Sequence, residues 1–219
     1  KRIVGPYQDS YSPNGIIGEK DACGVGFIAN VKGIESNWIL KQSLKGLNCM
    51  EHRGGCGGDS DSGDGAGILC SIPWGYLDEE LNLINKQKLD RGLGMVFMPN
   101  KKEKIEECKS ICEEEAEKLS VKETSWRKVP VNNEILGPLA KANVPYICQW
   151  ILYIDTKDNQ NIERLLFQLR KRIEKKIRET FKNDVGDCEF YFASLSSQTV
   201  VYKGMVRSEI LSEFYQDLK

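Results

Sequence analysis

Residues 51 to 74 read EHRGGCGGDSDSGDGAGILCSIPW, with seven glycines between Gly54 and Gly67. Glycine reaches positive φ without steric cost and lets backbone approach closely. Such a density predicts a tightly folded loop, with several residues at positive φ or with backbone drawn close to something. The loop runs into an apolar strand over Ile68–Ile72.

The flanking segments supply elements for such a loop to join. Residues 1–22 are polar, hold Pro6 and Pro13, and read as an extended leader. Residues 23–31 (CGVGFIANV) are short, apolar and partly β-branched, as a buried strand would be. Ser36 is placed to cap a helix carrying Ile39, Leu40, Leu44 and Leu47 at helical spacing. Beyond the loop, the pattern predicts a helix over Leu77–Leu89 and a strand over Leu93–Met98. An amphipathic helix over Lys101–Leu119 has Ile105, Cys108, Ile111, Cys112, Ala116 and Leu119 as its apolar stripe. A connection containing Pro and Asn leads to a strand over Tyr146–Ile154, and Ile162 through Phe181 traces one long helix face. Cys188–Leu195 and Gln198–Lys203 read as a hairpin, and Ser208–Leu218 as a closing helix. Mixed elements with antiparallel pairing and no linker after residue 22 point to an α+β fold, with one domain over 23–219.

The 219 residues balance acid and base to a net charge of −1, so nothing marks a nucleic-acid or membrane-surface partner. The longest nearly apolar run, Tyr146–Ile154, is about half of a membrane span. The first fifteen residues lack the apolar core of a secretory signal. Eight cysteines are too sparse for a disulfide scaffold in a chain of this length, which suggests a reducing compartment, the cytosol or an organelle stroma.

Several motifs fail on their own physics. Gly24-Val-Gly26-Phe-Ile-Ala29 fits G-x-G-x-x-A, but that fingerprint needs a strand before it and a helix after it. Asp59, Asp61 and Asp64 suggest calcium, but Gly63, Asp64 and Cys70 stand where an EF-hand requires an acidic ligand, a glycine and a glutamate. Asp and Ser satisfying backbone donors in a turn-rich loop is the simpler reading. Cys108 and Cys112 have a metal-compatible spacing yet belong to an apolar stripe, where cysteine acts as a small hydrophobe. With a single histidine and no CxxC, a zinc or iron–sulfur site is not expected within this chain, and no metal ligands are assigned. His52 could serve a cysteine as base or simply favour a helix C-terminus.

Cys23 stands apart. Gly24 and Gly26 remove side chains beside it, and it directly follows a polar leader. Hydrolysis of the Ala22–Cys23 bond would give Cys23 a free α-amino group. An α-amine has a pKa of about 8, so its neutral fraction could take the thiol proton and no histidine would be needed.

CGVGFIA, followed by MEHRGGCGGDSDSGDGAGI, resembles the amino-terminal amidotransferase domain of the glutamate synthase family. That domain belongs to the class II, N-terminal-nucleophile (Ntn) glutamine amidotransferases. The HRGGCGG-D-S-D-SGDG form is more similar to the ferredoxin-dependent type than to the pyridine-nucleotide type. YICQWILYID and FYFASLSSQTVVYKGM extend the likeness along the chain, and residues 1–22 look like the family's propeptide plus a little more. The resemblance implies part of an Ntn-hydrolase αββα four-layer sandwich with antiparallel sheets, and propeptide cleavage between Ala22 and Cys23. It implies Cys23 as catalytic nucleophile on glutamine, with ammonia passed to 2-oxoglutarate in glutamate biosynthesis. Ferredoxin, FMN and a 3Fe-4S cluster are implied for the other synthase domains, with no cofactor in this chain. The compartment would be cytoplasm or plastid stroma.

The family's substrate-binding and oxyanion groups come from Arg-Phe-Ser-Thr and His-Asn-Gly-Glu segments and a later aspartate. None occurs here, and they are expected beyond Lys219, so the chain reads as roughly the first half of the domain and as inactive alone. Three alternatives stay open: a class II amidotransferase of another pathway, a non-catalytic module with a decayed nucleophile, and a structural metal protein.

Overall fold

The computed structural model describes residues 24–50, 62–63, 65–82, 90–119, 121–155, 161–182 and 190–219. Two strands dominate it. β2 (Asp90–Met98) and β4 (Tyr146–Ile154) pair antiparallel along their whole length, from Asp90 opposite Ile154 to Met98 opposite Tyr146. β3 (Val121–Lys128) pairs with β4 and β5 (Tyr191–Ser196) with β2, giving the order β3-β4-β2-β5. A separate ladder joins β1 (Ala66–Ser71) to β6 (Thr199–Gly204), also antiparallel. The architecture is α+β, as the sequence predicts.

The central strands are apolar on both faces because both faces are covered. Side chains alternate across a strand, which divides them into two sets. Val96, Met98, Cys148, Trp150, Leu152 and Ile154 point to one side, where they meet α3 (Lys102–Glu117) and α5 (Ile162–Thr180). Ile105, Cys108, Ile111, Cys112 and Ala116 of α3 and Leu166, Leu169, Ile173 and Ile177 of α5 are the buried helical stripes. Burial of this kind contributes about 1.5–3 kcal/mol per large side chain. Cys108 and Cys112 are fully buried members of the stripe, beside Cys148. Burial pushes the Cys148 thiol up to about 12 and Cys112 well above its ordinary value, so both behave as apolar groups.

Leu93, Met95, Phe97, Ile147, Ile151 and Tyr153 face the other way, into a second cluster with Val200 and Tyr202 of β6. α1 (Asn37–Cys49) adds Leu44 to this cluster and packs against β1. The Ser36 cap forms as expected, its Oγ accepting from the Ile39 N–H at 3.4 Å. Among the described residues, no helix is long and apolar enough to cross a membrane.

The structure departs from the sequence reading at five places. The described part of the predicted strand over Cys23–Val31 is irregular and solvent-exposed, with Val25 and Phe27 each 94% accessible. It has no strand partner among the described residues, and an unpaired strand does not form alone. The helix predicted over Leu77–Leu89 is the shorter α2 (Trp74–Glu80); Asn82, at φ 54°, turns the chain out of it, and residues 83–89 lie outside the described set. The connection after α3 contains a strand, β3. As a sheet edge it needs no continuous apolar pattern.

The predicted hairpin is not one. β5 and β6 are consecutive, but they join different sheets, and the chain crosses between them at Ser197 and Gln198. Serine side chains meet backbone donors there: Ser194 Oγ accepts from Val201 N at 3.1 Å, and Ser196 Oγ from Gln198 N and Thr199 N. The closing helix is also broken, into Ser208–Ile210, α6 (Leu211–Phe214) and Gln216–Leu218. Tyr215 is extended and bridges to Val131, while its hydroxyl donates to the Lys203 carbonyl at 2.7 Å. The short α4 (Pro138–Ala142) lies between β3 and β4.

Candidate functional site

Ala22, Cys23, His52, Arg53, Asp59, Asp61 and Asp64 lie outside the described residues. What the structure describes is the frame on either side of them. α1 ends at Met50, whose N–H bonds to Leu47 O and Asn48 O. Met50 immediately precedes the Glu51-His52-Arg53 motif. Its side chain lies against Gly24 and Gly26: a Cβ built at Gly24 would sit 2.9 Å from Met50 Sδ, and one at Gly26 would sit 4.0 Å from Cε. The two glycines of the Cys-Gly-Val-Gly stretch therefore meet the residue that precedes Glu51 in sequence.

The far end of the glycine-rich stretch is anchored as well. Ser62 is buried, and its Oγ accepts from Ala140 N of α4 at 3.1 Å. Gly63 lies so close to the Val206 and Arg207 backbone that a Cβ there would come within 2.7 Å of it, which only glycine permits. Gly65 has φ 136° and leads into β1. The two readings offered for the glycines, close approach and positive φ, each occur at this end. Beside it a largely apolar cavity of about 600 Å³ opens between the sheets, lined among others by Gly65, Gly67, Phe97, Tyr191, Val201 and Phe214.

A buried polar cluster went unread in the sequence. Arg127 of β3 donates to both carboxylate oxygens of Asp217 at 2.8 Å, to Gln149 Oε1 at 2.9 Å and to Glu80 Oε2 at 2.6 Å. Gln149 Nε2 donates to the Tyr202 hydroxyl at 3.1 Å, which donates to Asp217 at 3.2 Å. Burial alone would lower the guanidinium, but hydrogen bonds to Asp217 and Glu80 hold it above its ordinary value. Burial and the nearby Asp217 charge likewise push Tyr202 upward. The one legible signal was Gln149, a polar residue inside the apolar run Tyr146–Ile154. Tyr76, Tyr202 and Asp217 also line a second cavity, of about 690 Å³, together with Ile28, Ser36 and Cys70. Among the described residues, no group of three or more His, Cys, Asp or Glu side chains is arranged to hold a metal.

A family model described as glutamine amidotransferases class-II matches residues 23–219. The chain belongs to this family. Its amidotransferase sequence is 45% identical over 208 residues to ferredoxin-dependent glutamate synthase 1, chloroplastic/mitochondrial, of Arabidopsis thaliana, covering 93% of this chain. It is 43% identical over 218 residues to the chloroplastic ferredoxin-dependent glutamate synthase of Oryza sativa subsp. japonica, covering 98% of this chain. Ferredoxin-dependent glutamate synthase 2 of Synechocystis sp. is 44% identical over 210 residues. In each case the chain spans 13% of the relative's length.

Proposed function

We propose that this chain forms part of the glutamine-hydrolysing region of a ferredoxin-dependent glutamate synthase, with Cys23 as its nucleophile. The observation that carries the reading is the start of the family match, at residue 23 itself. Residues 1–22 would then be a leader, removed by cleavage after Ala22. The contact of Gly24, which follows Cys23 in sequence, with Met50, two residues before His52, supports the same reading.

Once cleaved, the α-amino group of Cys23 takes the thiol proton, and the thiolate attacks the side-chain carbonyl of glutamine. The carbon–nitrogen bond breaks, the amine takes up the proton and leaves as ammonia, and a γ-glutamyl thioester remains. Water then cleaves the thioester, releasing glutamate and restoring the thiol. Ammonia would pass to 2-oxoglutarate in the rest of the synthase, where FMN, a 3Fe-4S cluster and reduced ferredoxin would act. The oxyanion and substrate-carboxylate partners are expected beyond Lys219. Relatives named as chloroplastic favour a plastid stroma.

The test uses the full-length protein that carries this chain. Mass spectrometry of the mature protein is expected to find Cys23 at the amino terminus. Cys23→Ala is expected to abolish ammonia release from glutamine while the protein stays folded. Uncleaved protein that keeps residues 1–22 is expected to release little ammonia. An active mature chain retaining Ala22, or an active Cys23→Ala variant, sinks the assignment.

A further inference from the structure

We propose that the outer faces of α3 and α5 form a docking surface for a second copy of this chain. The inference goes beyond the reading above and does not depend on it. Each helix buries one stripe against the sheet, and the stripe on its opposite side is exposed. On α3 that outer stripe is Glu103, Glu107, Ser110, Glu114 and Glu117. On α5 it is Arg164, Gln168, Lys171, Lys175 and Arg178. Residues three and four apart share one helix face, and both stripes step by four, three, four and three. One is acidic and the other basic, each with a single neutral position. Like charges at these spacings repel along a helix, so sorting the signs by helix costs each helix stability. Glu174 and Glu179 approach Lys171 and Lys175 from the flank at 3.0 and 3.9 Å, and pairs this open to solvent contribute little. A face that meets only water gains nothing from the sorting, because mixed signs would solvate it without the repulsion. A partner of matching pattern turns the sorting into attraction.

The pattern complements itself. α3 and α5 lie side by side on one face of the sheet. They run antiparallel: Lys104 Nζ lies 5.8 Å from the centre of the Phe181 ring, and Glu115 accepts from Arg172 at 2.8 Å further along. A two-fold axis parallel to the helices sets α3 of each copy over α5 of the other, an isologous contact. The levels of the two contacts then place Glu107 of one copy against Arg178 of the other, and Glu114 against Lys171. An axis across the helices would set acid on acid. A polyanion would fit α5 alone but would be repelled by α3 beside it. Each stripe is about 21 Å long at about 1.5 Å rise per residue. Two such helices about 8–10 Å apart present about 400–500 Å², below the roughly 800 Å² per partner of a standard interface. The contact is therefore weak and reversible, and held by charges that are screened within about 10 Å at about 0.1 M salt.

The test is sedimentation of the 219-residue chain. A reversible monomer–dimer equilibrium is expected, with the association constant falling about tenfold between about 50 mM and about 500 mM NaCl. Lys171→Glu with Lys175→Glu and Arg178→Glu makes both stripes acidic. Glu107→Lys with Glu114→Lys and Glu117→Lys makes both basic. Each triple variant is expected to stay monomeric at low salt, with its melting temperature close to the original. Mixed in equal amounts, the two are expected to form a heterodimer, a rescue that misfolded chains could not give. A chain carrying all these substitutions regains self-association, because the signs have traded places. A chain that is monomeric at low salt, a dimer indifferent to salt, or triple variants that do not pair with each other overturns the proposal. So does a monomeric chain held on heparin through Lys171 and Lys175, which assigns the face to a polyanion. If the same reversals in the full-length protein lower its melting temperature and leave its association unchanged, another part of the same polypeptide covers the face, and the second copy is overturned as its occupant.

Discussion

Arg127 and Asp217 leave only 4% and 1% of their side chains accessible, and they join β3 to the last turn of the described chain. Of the two carboxylates that Arg127 meets, Asp217 is the buried one, while Glu80 is 38% accessible and so a weaker, solvent-screened partner. Removing one partner of a buried pair costs about 3–5 kcal/mol, whereas replacing both with apolar groups often costs little. Asp217→Ala is expected to destabilise the protein by about 3 kcal/mol in urea unfolding. Adding Arg127→Met should restore much of that loss, since Met fills similar volume without a charge. If the double variant is weaker than Asp217→Ala, the pair contributes net stability and this account is wrong. The cluster was hard to read because its members lie far apart in sequence and only Gln149 breaks an apolar pattern. The Cys23 proposal rests on the opposite kind of signal, a local one, in the glycines after it and the polar leader before it.

Among the elements, periodicity succeeded wherever burial is one-sided or complete. The bounds of β4 coincide with the apolar run Tyr146–Ile154, and α3 and α5 follow their stripes to within a residue or two. It failed where pairing partners decide the outcome. A serine-lined turn between two apolar runs looks like a hairpin, yet β5 and β6 are claimed by different neighbours. Tyr215 interrupts a helical pattern because Val131 offers a bridge and Lys203 a carbonyl.

The α3–α5 contact also carries a pH dependence. Glu115 accepts from Lys118 of its own helix turn and from Arg172 Nε of α5 at 2.8 Å. The Lys118 bond, opposed by burial and reinforced by Arg172, holds the carboxyl below its usual range. A carboxylate depressed on folding adds stability above the unfolded value, about 4.3 for Glu, and that stability is lost as pH falls through the folded value. Glu115→Gln should therefore flatten the fall in unfolding free energy between about pH 5 and pH 3 relative to the original protein. Equal slopes would show that the pair adds nothing.

At the scale of the whole molecule, one sheet separates two apolar clusters, and every central strand contributes to both. Neither cluster can dissolve while the other keeps its strands. Single-tryptophan variants retaining Trp150, in the helix-side cluster, or Trp74, against the ladder side, should therefore show coincident urea midpoints. Separate midpoints would mean that the layers unfold independently.

The crossing at Ser197 and Gln198 has a mechanical consequence. Two residues span from one sheet to the other, so the layers are riveted together at that edge. At the opposite edge β6 ends at Gly204 and β5 begins at Tyr191, and there Lys203 Nζ lies 4.7 Å from the centre of the Tyr191 ring. That is the edge bearing the 600 Å³ cavity and the Gly63–Gly65 exit of the glycine-rich stretch. The layers are thus joined through the chain at the serine end and through side chains at the end from which Gly63 and Gly65 lead into β1.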